Sequence, residues 1–172
     1  MNRYFMLYVF LLFCACNQPS GIHHKAMHPG DEALLRANRI MVEQSDEIIR
    51  NYLNRRQWKM LNTPEGLWYM IYETKDGMPI QSGNTIQLKC RIEMLDGTIC
   101  YDEKKLGIQT ITVGEGKEIK GLEKGLPLLR IGDKARFIIP PHLGYGMTGD
   151  QDRIPPGAIL LYDIEIVGIC KK

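Results

Sequence analysis

Apolar and polar residues repeat with two different periods along this chain, and the change of period divides it. Within residues 31–56, Leu34, Leu35, Ala37, Ile40, Met41, Ile48, Ile49, Tyr52 and Leu53 approximate a 3.6-residue stripe opposite charged positions, with no Gly or Pro between them. The stripe predicts a helical segment with Asp31 as its N-cap and Glu32 in its first turn. It weakens at residues 43–47, so one long helix or two shorter ones fit. The apolar side needs a surface: the rest of the chain, a second copy, or a partner. Thr63-Pro64-Glu65-Gly66 reads as the turn that ends the helix.

After that turn the pattern alternates or runs apolar. Residues 67–73, 85–95, 110–113, 135–139 and 158–168 are predicted strands, separated by turn signals at Asp76-Gly77, Ser82-Gly83-Asn84 and Asp96-Gly97. Residues 121–129 are the one short helical piece among them. Five or six antiparallel strands around one short helix predict an α+β domain over residues 63–172, preceded by the helical segment at 31–62.

The first 30 residues have another character. Arg3 precedes an apolar run over residues 4–15, and polar Asn17-Gln18-Pro19-Ser20-Gly21 follow Cys16. This order reads as a secretory signal over residues 1–15. The run is too short to span a bilayer, which takes about 20 residues. Leu12-Phe13-Cys14-Ala15-Cys16 resembles a bacterial lipobox, with Phe13 in place of the usual leucine, which implies lipidation of Cys16 after cleavage behind Ala15. Acyl chains supply about 0.8 kcal/mol per buried methylene, and two or more anchor a protein stably. Residues 16–30 are then a tether. Its His23, His24 and His28 lack a carboxylate or cysteine to complete a metal site, so no metal is expected there.

Composition narrows the function. A 172-residue chain with 44% hydrophobic residues can bury a core, and a formal net charge of +2 gives no nucleic-acid footprint. Past the tether the only histidine is His142 and, in the strand-rich part, the only serine is Ser82 in a turn; a Ser-His-Asp hydrolase needs both within hydrogen-bond reach, and no G-x-S-x-G is present. Gly114-Glu115-Gly116 lacks a following G-K-S/T and reads as a turn between strand and helix. No C-x-x-C pair is present. What remains is an apolar set, Ile119, Leu122, Tyr145, Ile154 and Tyr162, among Pro140-Pro141 and Pro155-Pro156.

The order of three motifs, G-L-E-K-G from Gly121, I-P-P-H-L-G-Y-G ending at Gly146, and I-P-P-G-A-I-L-L-Y-D-I-E from Ile154, resembles the FKBP-type peptidyl-prolyl cis/trans isomerases. The resemblance covers roughly residues 85–169. It implies an FKBP-like half-barrel wrapped around the short helix, no cofactor, and an apolar pocket acting on X–Pro bonds of polypeptide clients. It implies that Tyr145 hydrogen-bonds the substrate carbonyl and that the Ile119 backbone N–H receives a carbonyl of the peptide. Leu122 would be the floor, Ile154 part of the flap, and Tyr162 a wall. Tyr101 and Asp102 resemble the aromatic–aspartate pair of the opposite rim, Asp102 joining Tyr145 as a catalytic residue. Cys90 stands where a wall tyrosine is usual, Gln109 near another aromatic, and Asp150 at a flap position. These departures leave a second reading open, a catalytically weak chaperone or binding module using the same groove.

The lead-in at residues 58–72, the M-T-G-D flap and the lipobox resemble more narrowly the FKBP-type lipoproteins linked to gliding motility in Bacteroidota. That implies a periplasm-facing lipoprotein of the cell envelope, the outer membrane before the inner, with a dimer through the N-terminal helix as a further expectation. Cys90, Cys100 and Cys170 remain after processing. A two-residue hairpin at Asp96-Gly97 would set Cys90 opposite Glu103 and Cys100 opposite Glu93. Their Cβ atoms would then be too far apart for the roughly 3.5–4.5 Å of a disulfide, so both are expected as reduced, buried thiols.

Overall fold

The computed structural model describes residues 29–170. The expected signal peptide, the lipidated Cys16 and the three tether histidines lie outside the described residues. The chain divides between Leu34 and Leu35, and the contacts below all belong to residues 35–172.

Helix α1 runs unbroken over Pro29–Arg56, beginning two residues before the expected cap Asp31, with proline at its first position. The weak stretch at 43–47 does not split it. Ser45 turns its hydroxyl back to the Met41 carbonyl at 2.7 Å, and Asp46 pairs with Arg50 one turn on at 2.7 Å. The helix stops well before the Thr63 turn. Gln57 adopts φ 54, its N–H reaches Asn54 O at 3.2 Å and the Trp58 N–H reaches Leu53 O at 3.1 Å, a left-handed C-terminal cap. Thr63-Pro64-Glu65-Gly66 instead joins β1 to β2.

Among the described residues there are seven strands, β1 (Leu61–Asn62), β2 (Trp68–Glu73), β3 (Thr85–Met94), β4 (Ile99–Tyr101), β5 (Gln109–Thr112), β6 (Lys134–Ile139) and β7 (Leu160–Ile169). All pair antiparallel in the order β1-β2-β6-β7-β3-β4, and β5 pairs with the first half of β3. Five or six were expected; β1 and β4, of two and three residues, are too short to carry a period. Helices α2 (Glu103–Leu106) and α3 (Lys120–Gly125) lie in the connections.

Alternation along the strands builds an apolar core on each face. On the inner face Ile86, Leu88, Cys90 and Ile92 of β3 join Phe137 and Ile139 of β6 and Tyr162, Ile164 and Ile166 of β7. Leu122 and Leu126 cover them from α3 and the turn after it. On the outer face Trp68, Ile138 and Leu161 receive Ile49, Tyr52 and Leu53 of α1. The chain's own sheet therefore covers the C-terminal end of the helical stripe, while Leu35, Ile40 and Ile48 of the same helix stay exposed. Each of these side chains contributes about 1.5–3 kcal/mol when fully buried.

Two glycines of the G-L-E-K-G motif explain how α3 reaches the sheet. A Cβ on Gly121 would meet Ile139 at 2.6 Å, and one on Gly125 would meet Phe137 at 2.5 Å. Four residues apart, they share the helix face laid on β6. Leu122 between them is thereby fixed beneath the cavity described below.

Candidate active site

A cavity of about 160 Å³ opens on the inner face, between β3, β5, α3 and the loop after β6. From β3 it takes Leu88, Cys90 and Ile92, which share a face by strand alternation. Leu122 rises from α3, Tyr145 enters from the loop after β6, and Tyr162 from β7. Leu106, Thr110 and Ile111 close the side toward β5. Gln109 also lines it, its amide donating to the Leu106 carbonyl.

The titratable groups here are held neutral or strained toward neutrality. Burial raises the Tyr145 phenol, and the neighbouring Tyr162 hydroxyl only partly offsets this, so Tyr145 remains a hydroxyl donor at physiological pH. Burial, with Tyr145 second, pushes the Tyr162 phenol well above its ordinary value. Burial, then the Glu118 and Glu103 carboxylates, push the Cys90 thiol up to about 11. It is therefore a thiol rather than a thiolate, and no nucleophile. Glu118 also lines the cavity. Desolvation, then the Glu123 charge, raise its carboxyl above the usual range.

Of the residues singled out from sequence, Tyr145, Tyr162, Leu122 and Cys90 come together around this cavity. Ile154 is buried in the inner core and Ile119 packs half-buried against it, and neither is among the lining residues. Ile119 is the N-cap of α3, its carbonyl accepting from the Leu122 and Glu123 N–H groups at 3.0 and 3.1 Å. Neither Tyr101 nor Asp102 is among the cavity's lining residues, though Tyr101 packs half-buried against the same inner core as Ile119. The Asp102 carboxylate caps α2, accepting from Lys105 N–H at 2.9 Å. The Tyr101 hydroxyl donates instead to Asp150 at 2.6 Å and to Asp152 at 3.2 Å.

The two-residue hairpin expected at Asp96-Gly97 holds at Ile92 and Tyr101 and differs by one residue nearer the turn, where Glu93 meets Ile99 in place of Cys100. This leaves Cys100 as the extra residue of a bulge. Its side chain turns into the inner core at 2% exposure. Cys90 and Cys100 are both buried and unbonded. Among the described residues no group of three or more His, Cys, Asp or Glu side chains is placed to hold a metal ion.

Asp150 organises the loop that leads into Ile154, expected as the flap. One carboxylate oxygen accepts the N–H groups of Asp152, Arg153 and Ile154 at 3.0, 2.9 and 2.7 Å, and the other takes the Tyr101 hydroxyl. Burial alone would raise its pKa; the Tyr101 hydroxyl and the three N–H groups outweigh it and hold it at about 2. Gly149, at φ 67, permits this fold-back, because a Cβ there would meet Ile154 O at 2.1 Å.

Sequence reasoning passed over Glu118, Leu88, Ile92, Leu106, Thr110 and Ile111. Leu88 and Ile92 were within reach of it, since they flank Cys90 at a spacing of two. A cleft of about 240 Å³ on the outer side, lined by Asp46, Arg50, Trp68 and His142 among others, holds none of the predicted residues.

The family described as FKBP-type peptidyl-prolyl cis-trans isomerase matches residues 77–167. The chain is 35% identical over 88 residues to human peptidyl-prolyl cis-trans isomerase FKBP9, covering 51% of this chain and 15% of that protein. It is 32% identical over 110 residues to a probable FKBP-type peptidyl-prolyl cis-trans isomerase of Haemophilus influenzae, covering 64% and 45%. To peptidyl-prolyl cis-trans isomerase FKBP15-2 of Arabidopsis thaliana it is 35% identical over 91 residues, covering 52% and 56%. The chain thus spans less than two thirds of the length of these curated relatives. The crystal structure of AtFKBP13 superposes with a TM-score of 0.62 at 27% identity, covering 66% of this chain and 100% of that one. With the cavity, the glycine-seated helix and the matched segment in agreement, the chain belongs to the FKBP-type peptidyl-prolyl cis-trans isomerase family.

Proposed function

We propose that this protein catalyses cis/trans rotation of X–Pro bonds in polypeptide clients, in the cavity lined by Leu122, Tyr145, Tyr162 and Cys90. The observation that carries the reading is the coincidence of that cavity with the family-matched segment, with a half-buried phenol, Tyr145, at its wall. Amide resonance sets a barrier of about 18–20 kcal/mol. Uncatalysed X–Pro exchange takes on the order of tens to hundreds of seconds. A twisted amide loses its zwitterionic character and is better accommodated by apolar walls than the planar form is. The cavity therefore binds the transition state in preference to the ground state, with no proton transfer. Proline sits over Leu122, and the Tyr145 hydroxyl, kept neutral by burial, donates to the substrate carbonyl. Each hundredfold acceleration asks about 2.7 kcal/mol of this preference.

A second reading keeps the groove and drops the turnover: a chaperone or binding module. Cys90, Leu122 and Gln109 favour it, because they leave the walls with two aromatic rings, Tyr145 and Tyr162. Refolding of a proline-limited protein separates the two. An isomerase shortens the slow phase at substoichiometric amounts, whereas a holding module alters yield only near stoichiometric amounts.

The N-terminal features extend the proposal. The signal-like run and Cys16 support the reading of a lipid-anchored, periplasm-facing lipoprotein acting on exported clients, akin to the gliding-associated lipoproteins. Mass spectrometry of the protein from its envelope tests this; an unmodified N-terminus or a retained Met1 contradicts it. Leu35, Ile40 and Ile48 stay exposed on α1, which supports a dimer through that helix, checked by sedentation of the full chain in analytical ultracentrifugation.

A further inference from the structure

We infer that Glu118 sets a charge preference in the groove, selecting X–Pro segments with Lys or Arg beside the proline and rejecting those with Asp or Glu. The inference rests on the reading of the groove as the X–Pro site and adds a substrate class to it.

Glu118 is the one charged residue among those lining the cavity; the rest are aliphatic, aromatic, thiol, hydroxyl or amide side chains. Its side chain makes no salt bridge or hydrogen bond among the described residues. Lys117, the adjacent base in sequence, pairs with Glu115 at 2.6 Å. The backbone is nevertheless fixed. Glu123 of α3 takes the Gly114 N–H at 2.7 Å and the Glu118 N–H at 3.4 Å, tying both ends of the turn before α3 to the helix. The carboxylate is thus positioned by its main chain and left without an internal partner.

An ionised carboxylate moved toward an apolar cavity loses hydration and gains nothing unless a cation meets it. The cost is visible in its raised titration, due first to desolvation and then to Glu123. Its field also reaches the groove walls, where it contributes to the upward shifts of Cys90, Tyr145 and Tyr162. A charge that influences three groove residues will influence a peptide lying among them. An ammonium or guanidinium on a flexible side chain next to proline can reach it while the ring stays over Leu122. A client carboxylate in the same place meets like charge in a poorly hydrated site.

The test is a matched peptide series differing only in Lys, Gln or Glu beside proline, with exchange rates and binding by fluorescence anisotropy measured separately. Full-length wild type, Glu118→Gln and Glu118→Lys are compared, each checked for native thermal unfolding. In wild type the Lys peptide should exceed the Glu peptide by about tenfold in kcat/KM or affinity, with the ratio compressed at high salt. The ratio should fall toward one in Glu118→Gln and invert in Glu118→Lys. An unchanged ratio in a folded Glu118→Gln protein overturns the inference and leaves the isomerase reading intact. A Lys-over-Glu ranking in binding without turnover supports the inference and removes catalysis. Neither binding nor turnover for any peptide removes both.

Discussion

The Tyr101 hydroxyl donates to the Asp150 carboxylate at 2.6 Å and so joins β4 to the loop before Ile154. Neither residue lines the cavity, yet together they hold the loop that leads into Ile154. Asp150 adds three backbone N–H groups of that loop to the same carboxylate, so one side chain fixes both the shape of the flap and its attachment.

Asp150→Ala should therefore loosen the flap, lowering kcat/KM on X–Pro peptides by about tenfold, mainly through KM. Its effect on stability follows from the depressed titration. A carboxyl lowered from 3.8 to about 2 contributes stability that is complete above the ordinary value and lost as pH falls through the folded one. The difference in unfolding free energy between wild type and variant should be constant down to about pH 4 and shrink toward pH 2. A difference that instead grows on acidification would be inconsistent with this clasp.

Glu118 carries the opposite sign. Its folded titration is raised, by desolvation first and Glu123 second, so the ionised form is disfavoured in the fold. The penalty is absent below the ordinary carboxylate range and fully present above the raised value. Cys90, Tyr145 and Tyr162 face it as uncharged groups, and Glu123 is the carboxylate beside it. Glu118→Gln should raise the melting temperature at neutral pH and leave it unchanged near pH 3, as read by differential scanning calorimetry.

Gly121→Ala and Gly125→Ala should each cost about 1–3 kcal/mol, because the new methyl must displace Ile139 or Phe137 from the inner core. Urea unfolding measures this. A cost below about 0.5 kcal/mol at both sites would mean that α3 is not seated through its glycines.

On the outer face, Ile49→Ala should cost about 2–4 kcal/mol, since Ile49 is 1% exposed against Trp68, Ile138 and Leu161. The same substitution at exposed Ile48 should stay within about 0.5 kcal/mol. Equal effects would place α1 away from the sheet.

Much of this architecture was legible in the sequence. The long strands β3, β6 and β7 show clear alternation or apolar runs, and α1 shows a 3.6-residue stripe. Strands β1 and β4 were not legible, being shorter than any period. The stripe on α1 states that it needs covering, but only tertiary contact identifies the outer sheet as the cover. At the site, motif spacing brought Leu122, Tyr145 and Tyr162 together because it tracks one rigid strand-and-helix frame. The same spacing named Tyr101 and Asp102, whose polar atoms are engaged locally, the Tyr101 hydroxyl with Asp150 and the Asp102 carboxylate as the cap of α2. Glu118 escaped because, in a run with Glu115 and Glu123, a third glutamate reads as solvent-facing until the cavity around it is seen.

The central claim is that the Tyr145 cavity turns X–Pro bonds. Its most direct measurement is cis/trans exchange of a proline peptide followed by NMR exchange spectroscopy, with full-length wild type, Tyr145→Phe and Leu122→Ala. Exchange that is otherwise on the order of tens of seconds or slower should accelerate in proportion to wild-type concentration. Tyr145→Phe should lower that acceleration about tenfold, the equivalent of about 1.4 kcal/mol lost from the transition state. Folded wild-type protein that leaves exchange at its uncatalysed rate, or a Tyr145→Phe variant as active as wild type, would contradict it.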